Sequence, residues 1–168
     1  MTARRRARIG WREWVALPDL GVSRIKAKID TGARSSALHA FAVERVRRRG
    51  KDLVLFAIHP LQRSSRREVV AEAEMVDERI VRSSNGVNAV RPVIVTRIEI
   101  LGETWPIELT LASRDEMGFR MLLGRQAMRG RFLIDPGRSY MAGRPGRPPL
   151  VVTPEVVLAP ARTLRRPT

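Results

Sequence analysis

The feature that most limits how this chain can fold is its punctuation. Residues 15–21 run as an apolar strand into a turn marked by Pro18 and Gly21, and residues 25–30 alternate apolar and charged side chains. Further strand-like runs follow at 41–46, 53–58, 69–73 and 79–82, separated by turns rich in Arg, Gly, Ser or Pro. Residues 93–101 and 105–111, joined at Gly102, predict a hairpin. Val93, Val95, Ile98 and Ile100 supply its core face if a bulge falls at Thr96-Arg97. Residues 121–123 and 131–135 flank the one convincing helical turn, 125–128. A strand buries one face per period of two, so short strands must cover one another. The pattern predicts an all-β protein, a closed β-barrel with one short C-terminal helix.

At 168 residues the chain has the length of one domain with room for a real core. Composition changes after Asp135: seven of the eleven prolines lie between Pro136 and Pro167, mixed with Gly and Arg. The expected layout is therefore a basic N-terminal extension over 1–9, a folded domain over 10–136 and a Pro/Arg-rich tail over 137–168. Within that tail 150–152 and 156–158 are apolar enough to dock as edge strands. There are no cysteines, which excludes disulfides, thiol nucleophiles and Cys-based zinc sites and is what a reducing compartment permits. No run of about 18 apolar residues occurs, and no apolar segment follows Arg4-Arg5-Arg6-Ala7-Arg8 as a secretory signal requires. A cytoplasmic, membrane-free protein is expected. The formal charge of +15, nearly all from arginine, suits polyanions or acidic peptides, although an Arg-rich proteome produces the same bias on a solvated surface.

Two segments carry the chemistry. Asp30-Thr31-Gly32-Ala33 ends an apolar-alternating strand in a tight turn, where glycine lets backbone N–H groups point at the carboxylate and the Thr hydroxyl adds a local hydrogen bond. About ninety residues later, Met121-Leu122-Leu123-Gly124-Arg125-Gln126-Ala127-Met128 is an apolar strand that breaks at glycine into a helix. Alone, Asp30 reads better as a turn residue capping its own loop; the second motif turns that reading toward catalysis. Asp135-Pro136-Gly137, an echo of the first motif, reads as a plain turn because proline removes an N–H.

Together the two segments resemble the retropepsin-like aspartic proteases. More narrowly, residues 26–40, Arg91-Pro92-Val93-Ile94 and Met121 to Gln126 resemble a bacterial group historically labelled ATP-dependent zinc proteases and now read as retropepsin-like aspartic endopeptidases. The resemblance spans roughly Gly10 to Pro136. It implies peptide hydrolysis in which two carboxylates share one proton, with Asp30, Thr31 and Gly32 as the catalytic loop. One Asp-Thr-Gly supplies half of such a pair, so a homodimer is implied, with Thr31 bonding across subunits and Gly32 and Ala33 leaving room for substrate. A mobile cover is expected too. Residues 82–88 are the best candidate, with Ser83, Ser84, Asn85 and Gly86 at the tip, and an ordinary hairpin loop is the competing reading.

The viral relatives have an acid after Asp-Thr-Gly-Ala that pairs with the arginine of the second motif; this chain has Arg34 there. Arg34 and Arg125 are thus expected near each other and in need of an anion. Either a substrate carboxylate supplies it, selecting acidic peptides, or an internal acid such as Glu44, Asp115 or Glu116 does. Members of the group are associated with ATP-grasp ligases that add glutamates to proteins, so the implied substrate is a glutamate-modified protein, with a ribosomal protein as one candidate. No cofactor and no metal are expected: there is no His-Glu-x-x-His helix, His39 and His59 are not in a ligand spacing, and no Gly-x4-Gly-Lys-Ser/Thr loop occurs. Trp11, Trp14 and Trp105 read as core or rim anchors. Nucleic acid is left open, with Phe41, Phe56 and Tyr140 as the remaining stacking candidates. A basic module that binds acidic peptides, ribosome or RNA without catalysis is the alternative class.

Overall fold

The computed structural model describes residues 6–62, 64–82, 86–113, 118–143 and 157–159. The elements in chain order are β1 (Ala7–Gly10), β2 (Arg12–Leu17), a 3-10 turn (Pro18–Leu20), β3 (Val22–Asp30), β4 (Ser36–His39), β5 (Phe41–Arg48) and β6 (Lys51–Ile58). They continue as β7 (Val69–Arg82), β8 (Asn88–Ile100), β9 (Glu103–Ala112), β10 (Met121–Gly124), α1 (Arg125–Met128), β11 (Phe132–Asp135) and β12 (Val157–Ala159). The protein is mostly β, as expected. The main sheet runs β2-β3-β10-β4-β9-β8-β7-β6-β5, and β1 pairs separately with β11 in parallel.

Period-two patterning sets the faces. On β3, Ile25, Ala27 and Ile29 are buried while Lys26 and Lys28 point the other way. Val54, Phe56 and Ile58 of β6 and Ile98, Ile100, Ile107 and Leu109 of β8 and β9 join the same core. The hairpin from β8 to β9 forms, and its tip, Leu101-Gly102, has both φ values positive (54° and 74°), as a tight two-residue turn requires. The bulge expected at Thr96-Arg97 is absent: pairing runs without a shift from Val93↔Thr110 to Ile100↔Glu103. Thr96 is itself buried, so this strand has core on both faces and no slip is needed. The register shift lies instead on β7, between Met75 and Asp77.

Two features were not legible in sequence. The runs at 69–73 and 79–82 are one strand of 14 residues, which leaves Ile80 and Val90 largely exposed at the far end of the β7–β8 hairpin. The 3-10 turn is also tied to β8, because Asp19 accepts from the Arg97 backbone N–H (3.2 Å) and from its Nε (2.9 Å). That hydrogen bond, reinforced by charge attraction, raises the Arg97 pKa above its usual range. In the tail, β12 pairs in parallel with Val69, Val70 and Ala71 of β7, while 150–152 lie outside the described residues.

Candidate functional site

Strand β3 ends on Asp30, which is half-buried. Its Oδ1 accepts the N–H of Gly32 (3.0 Å) and of Ala33 (3.1 Å), so the tight turn aims two backbone donors at the carboxylate as the sequence suggests. A side chain at Gly32 would sit 3.3 Å from that oxygen. Thr31 contributes its carbonyl: Arg125 Nη1 donates to Thr31 O (2.8 Å) and, more weakly, to Gly32 O (3.3 Å).

The second motif lies directly against the first. β10 runs parallel to β3 with Leu123 opposite Ile29 and Gly124 opposite Asp30, and pairs antiparallel with β4 on its other side. Gly124 is glycine because a Cβ there would lie 2.3 Å from Ser35 O and 2.4 Å from Ser35 C. Its N–H donates to Ser36 Oγ (3.0 Å, buried), and the next two N–H groups, of Arg125 and Gln126, donate to the carbonyls of Ala33 (2.8 Å) and Arg34 (3.1 Å). The start of α1 is thus stitched to the Asp30 loop by three consecutive donors.

Arg34 and Arg125 do line one cavity, of about 450 Å³, together with Arg129. Met128, Phe132 and Ile134 supply its apolar wall, and Thr31 joins it to the Asp30 loop. No acidic side chain lines it among the described residues. Arg125 donates to the loop carbonyls of Thr31 and Gly32, and no acid pairs with it among the described residues. Of the internal acids considered, Asp115 and Glu116 lie outside the described residues, as do Ser83, Ser84 and Asn85 of the expected cover. Gly86 is exposed with φ of 81°, at the base of the β7–β8 tip.

His39 is buried, and His59 stacks on Phe41 with ring centres 4.2 Å apart. Among the described residues no three His, Cys, Asp or Glu side chains gather as a metal site, and no helix is long and apolar enough to cross a membrane. Asp135-Pro136-Gly137 is a turn in which Gly137 donates to Asp135 Oδ1 (3.0 Å).

Sequence reasoning missed Glu13. It is fully buried, and its carboxylate accepts from Gly10 (2.7 Å), Met141 (2.8 Å) and Ala142 (3.0 Å), tying 141–142 to the start of β2. Lying between Arg12 and Trp14, it carries no local signal of burial; only the alternation with Val15 and Leu17 hints at it.

This β-fold, with a carboxylate loop backed by a glycine-arginine strand end, is of the retropepsin-like class. Residues 8–145 match the RimB-like family, described as retropepsin-like aspartic endopeptidase RimB, and the chain belongs to that family. A crystal structure of a Legionella pneumophila protein of unknown function is similar at 26% identity and a TM-score of 0.67, covering 81% of this chain and 98% of that one. Among curated relatives, a probable alpha-L-glutamate ligase of Shewanella pealeana is 46% identical over 82% of this chain and 30% of its own length. One of Parasynechococcus marenigrum with the same name is 42% identical over 94% of this chain and 33% of its own length. The chain spans about a third of the length of the curated relatives it matches.

Those names correct the functional expectation. Proteins that share this segment at 42–46% identity are named for joining glutamate, not for cutting peptides, which overturns the assignment of the chain as an aspartic endopeptidase and hydrolase. The physical reason the sequence misled is that an Asp-Thr-Gly loop specifies a well-held carboxylate, whereas hydrolysis needs two sharing a proton. This chain contains one such loop.

Proposed function

We propose that the chain serves α-L-glutamate ligation by holding the glutamate-bearing substrate. The observation that carries this reading is the cavity walled by Arg34, Arg125 and Arg129, with no acid in its lining among the described residues. Guanidinium groups bind carboxylates in bidentate fashion, and a row of three suits successive glutamate side chains. The apolar wall of Met128, Phe132 and Ile134 suits their methylenes. Asp30 complements them: its Oδ1 is used by its own loop, and its Oδ2, unpartnered among the described residues, can meet an amino group of the acceptor. In the curated relatives about two thirds of the length lies outside the match, and this reading places bond formation there.

Two structural readings go with it. The pairing of Ala16 with Glu99 supports β2, β3, β10, β4, β9 and β8 forming a closed barrel. A two-fold homodimer joined at the Asp30 loops would set two such cavities along one glutamate chain.

Fluorescence anisotropy with a labelled oligo-glutamate peptide tests the proposal. The double variant Arg34→Ala/Arg129→Ala changes two exposed side chains and leaves the Arg125 bonds intact. It is expected to bind roughly ten-fold more weakly, with an oligo-glutamine peptide failing to bind either protein. Unchanged affinity in the double variant, or equal binding of the glutamine peptide, would remove the cavity from the substrate path.

A further inference from the structure

The aromatic rings divide between core and surface. Phe56, a stacking candidate, is 1% exposed and belongs to the core, as does Trp105. Trp11, Trp14 and Tyr140 are instead half-buried on the outer face of β2 and β3, and cations alternate with them. The Arg12 guanidinium lies 4.6 Å from the Trp11 ring centre and 5.1 Å from that of Tyr140. Lys26 lies 5.2 Å from Trp14 and 5.9 Å from Tyr140, and Arg24 is 5.9 Å from Trp14. Phe119 extends the row with an edge contact to Trp11 at 5.9 Å.

Strand geometry builds this ladder. Arg12 pairs with Lys28 and Trp14 with Lys26 across β2 and β3, all on the face opposite the core, and Tyr140 is delivered by the segment that Glu13 ties down. Among the described residues neither Arg12 nor Lys26 is paired with a carboxylate, so their charge is not spent. Glu13 lies beneath and is committed to backbone donors; Glu99 is on the rim of a cavity of about 440 Å³ that opens beside Trp14 and Arg24. The indole N–H of Trp14 is buried and without a partner among the described residues.

We infer that this face binds single-stranded nucleic acid, with bases stacking on Trp14, Tyr140 and Trp11 and phosphates meeting Arg12, Arg24, Lys26 and Lys28. Rings alone would serve any apolar partner and cations alone any polyanion. Their interleaving matches a chain that alternates flat π-faces with negative charges. An acidic peptide has the charge but nothing to stack.

The test is anisotropy with a labelled single strand of about 12 nucleotides, as RNA and as DNA, beside the duplex of the same sequence, between 50 and 200 mM salt. Arg24→Gln/Lys26→Gln removes two ladder cations. Arg47→Gln/Arg49→Gln, both exposed at the far β5–β6 turn, is the charge-matched control. The ladder variant is expected to bind the single strand roughly ten-fold more weakly and to lower the salt slope by about 1.4, with the control within about two-fold of the parent. Trp14→Leu should weaken binding by a similar factor while leaving the salt slope unchanged. DNA and RNA arms of equal strength support stacking without sugar recognition, and an RNA preference supports it with the 2′-hydroxyl read as well. Duplex binding as tight as single-strand binding, equal losses in ladder and control variants, or no binding by the parent would overturn the inference.

Discussion

Replacing Gly124 with alanine is expected to destabilise the fold by about 3 kcal/mol, lowering the melting temperature by roughly 6–12 °C. The added methyl would meet the Ser35 carbonyl at 2.3 Å, and neither side can yield cheaply because both are backbone. β10 is clamped between β3 and β4, and Ser35 lies between Ala33 and Arg34, whose carbonyls accept from Arg125 and Gln126, and the start of β4. Relief must therefore come from separating β10 from the Asp30 loop, which also breaks the Gly124 bond to Ser36. Gly118→Ala is the control, since its Cβ would meet nothing within 4 Å. Urea unfolding checks the difference through the midpoint at constant slope. Equal midpoints for the two variants would mean the strand accommodates the methyl and the close approach does not fix this residue.

The second large effect is at Glu13. Glu13→Ala strands three backbone donors, those of Gly10, Met141 and Ala142, and is expected to cost about 3–4 kcal/mol. Glu13→Gln is smaller, about 2 kcal/mol: the amide oxygen can keep the two donors that share Oε1, but the NH₂ would face the Ala142 N–H. The alanine variant should also free residues 138–142, so brief trypsin treatment is expected to cut after Arg138 in the variant before the parent. Cleavage at equal rates would show that the segment is held by its other bonds, Trp11 N–H to Arg138 O and Tyr140 N–H to Arg12 O, both 2.9 Å.

How much of this was legible follows from how local each signal is. The strands of the core, the Leu101-Gly102 hairpin tip and the helix at 125–128 were readable because alternation and turn residues act over a few positions. The contact between the two motifs was expected only through the family resemblance, which places Arg34 near Arg125. What could not be read depends on pairings across the chain. Glu13 looks like a surface acid until residues 141 and 142 arrive, and Trp14 looks like a rim anchor until Lys26 and Tyr140 flank it. The bonds from Arg125 to the loop carbonyls could not be read either, because carbonyl acceptors leave no trace in side-chain identity. The function erred for another reason: the loop's chemistry is a carboxylate well held by backbone, and that geometry alone does not say which reaction, if any, it serves.

The parallel pairing of β3 with β10 also carries a kinetic consequence. Parallel neighbours cannot be joined by a tight turn, and here the intervening chain includes six strands, β4 to β9. On a ribosome, Asp30 emerges long before Gly124, and at about 5–20 residues per second the loop waits several seconds without its backing. Closing so long a loop is entropically slow, so the carboxylate turn should be among the last parts to gain hydrogen-exchange protection during refolding, after the β8–β9 hairpin. The site exists only in a finished molecule.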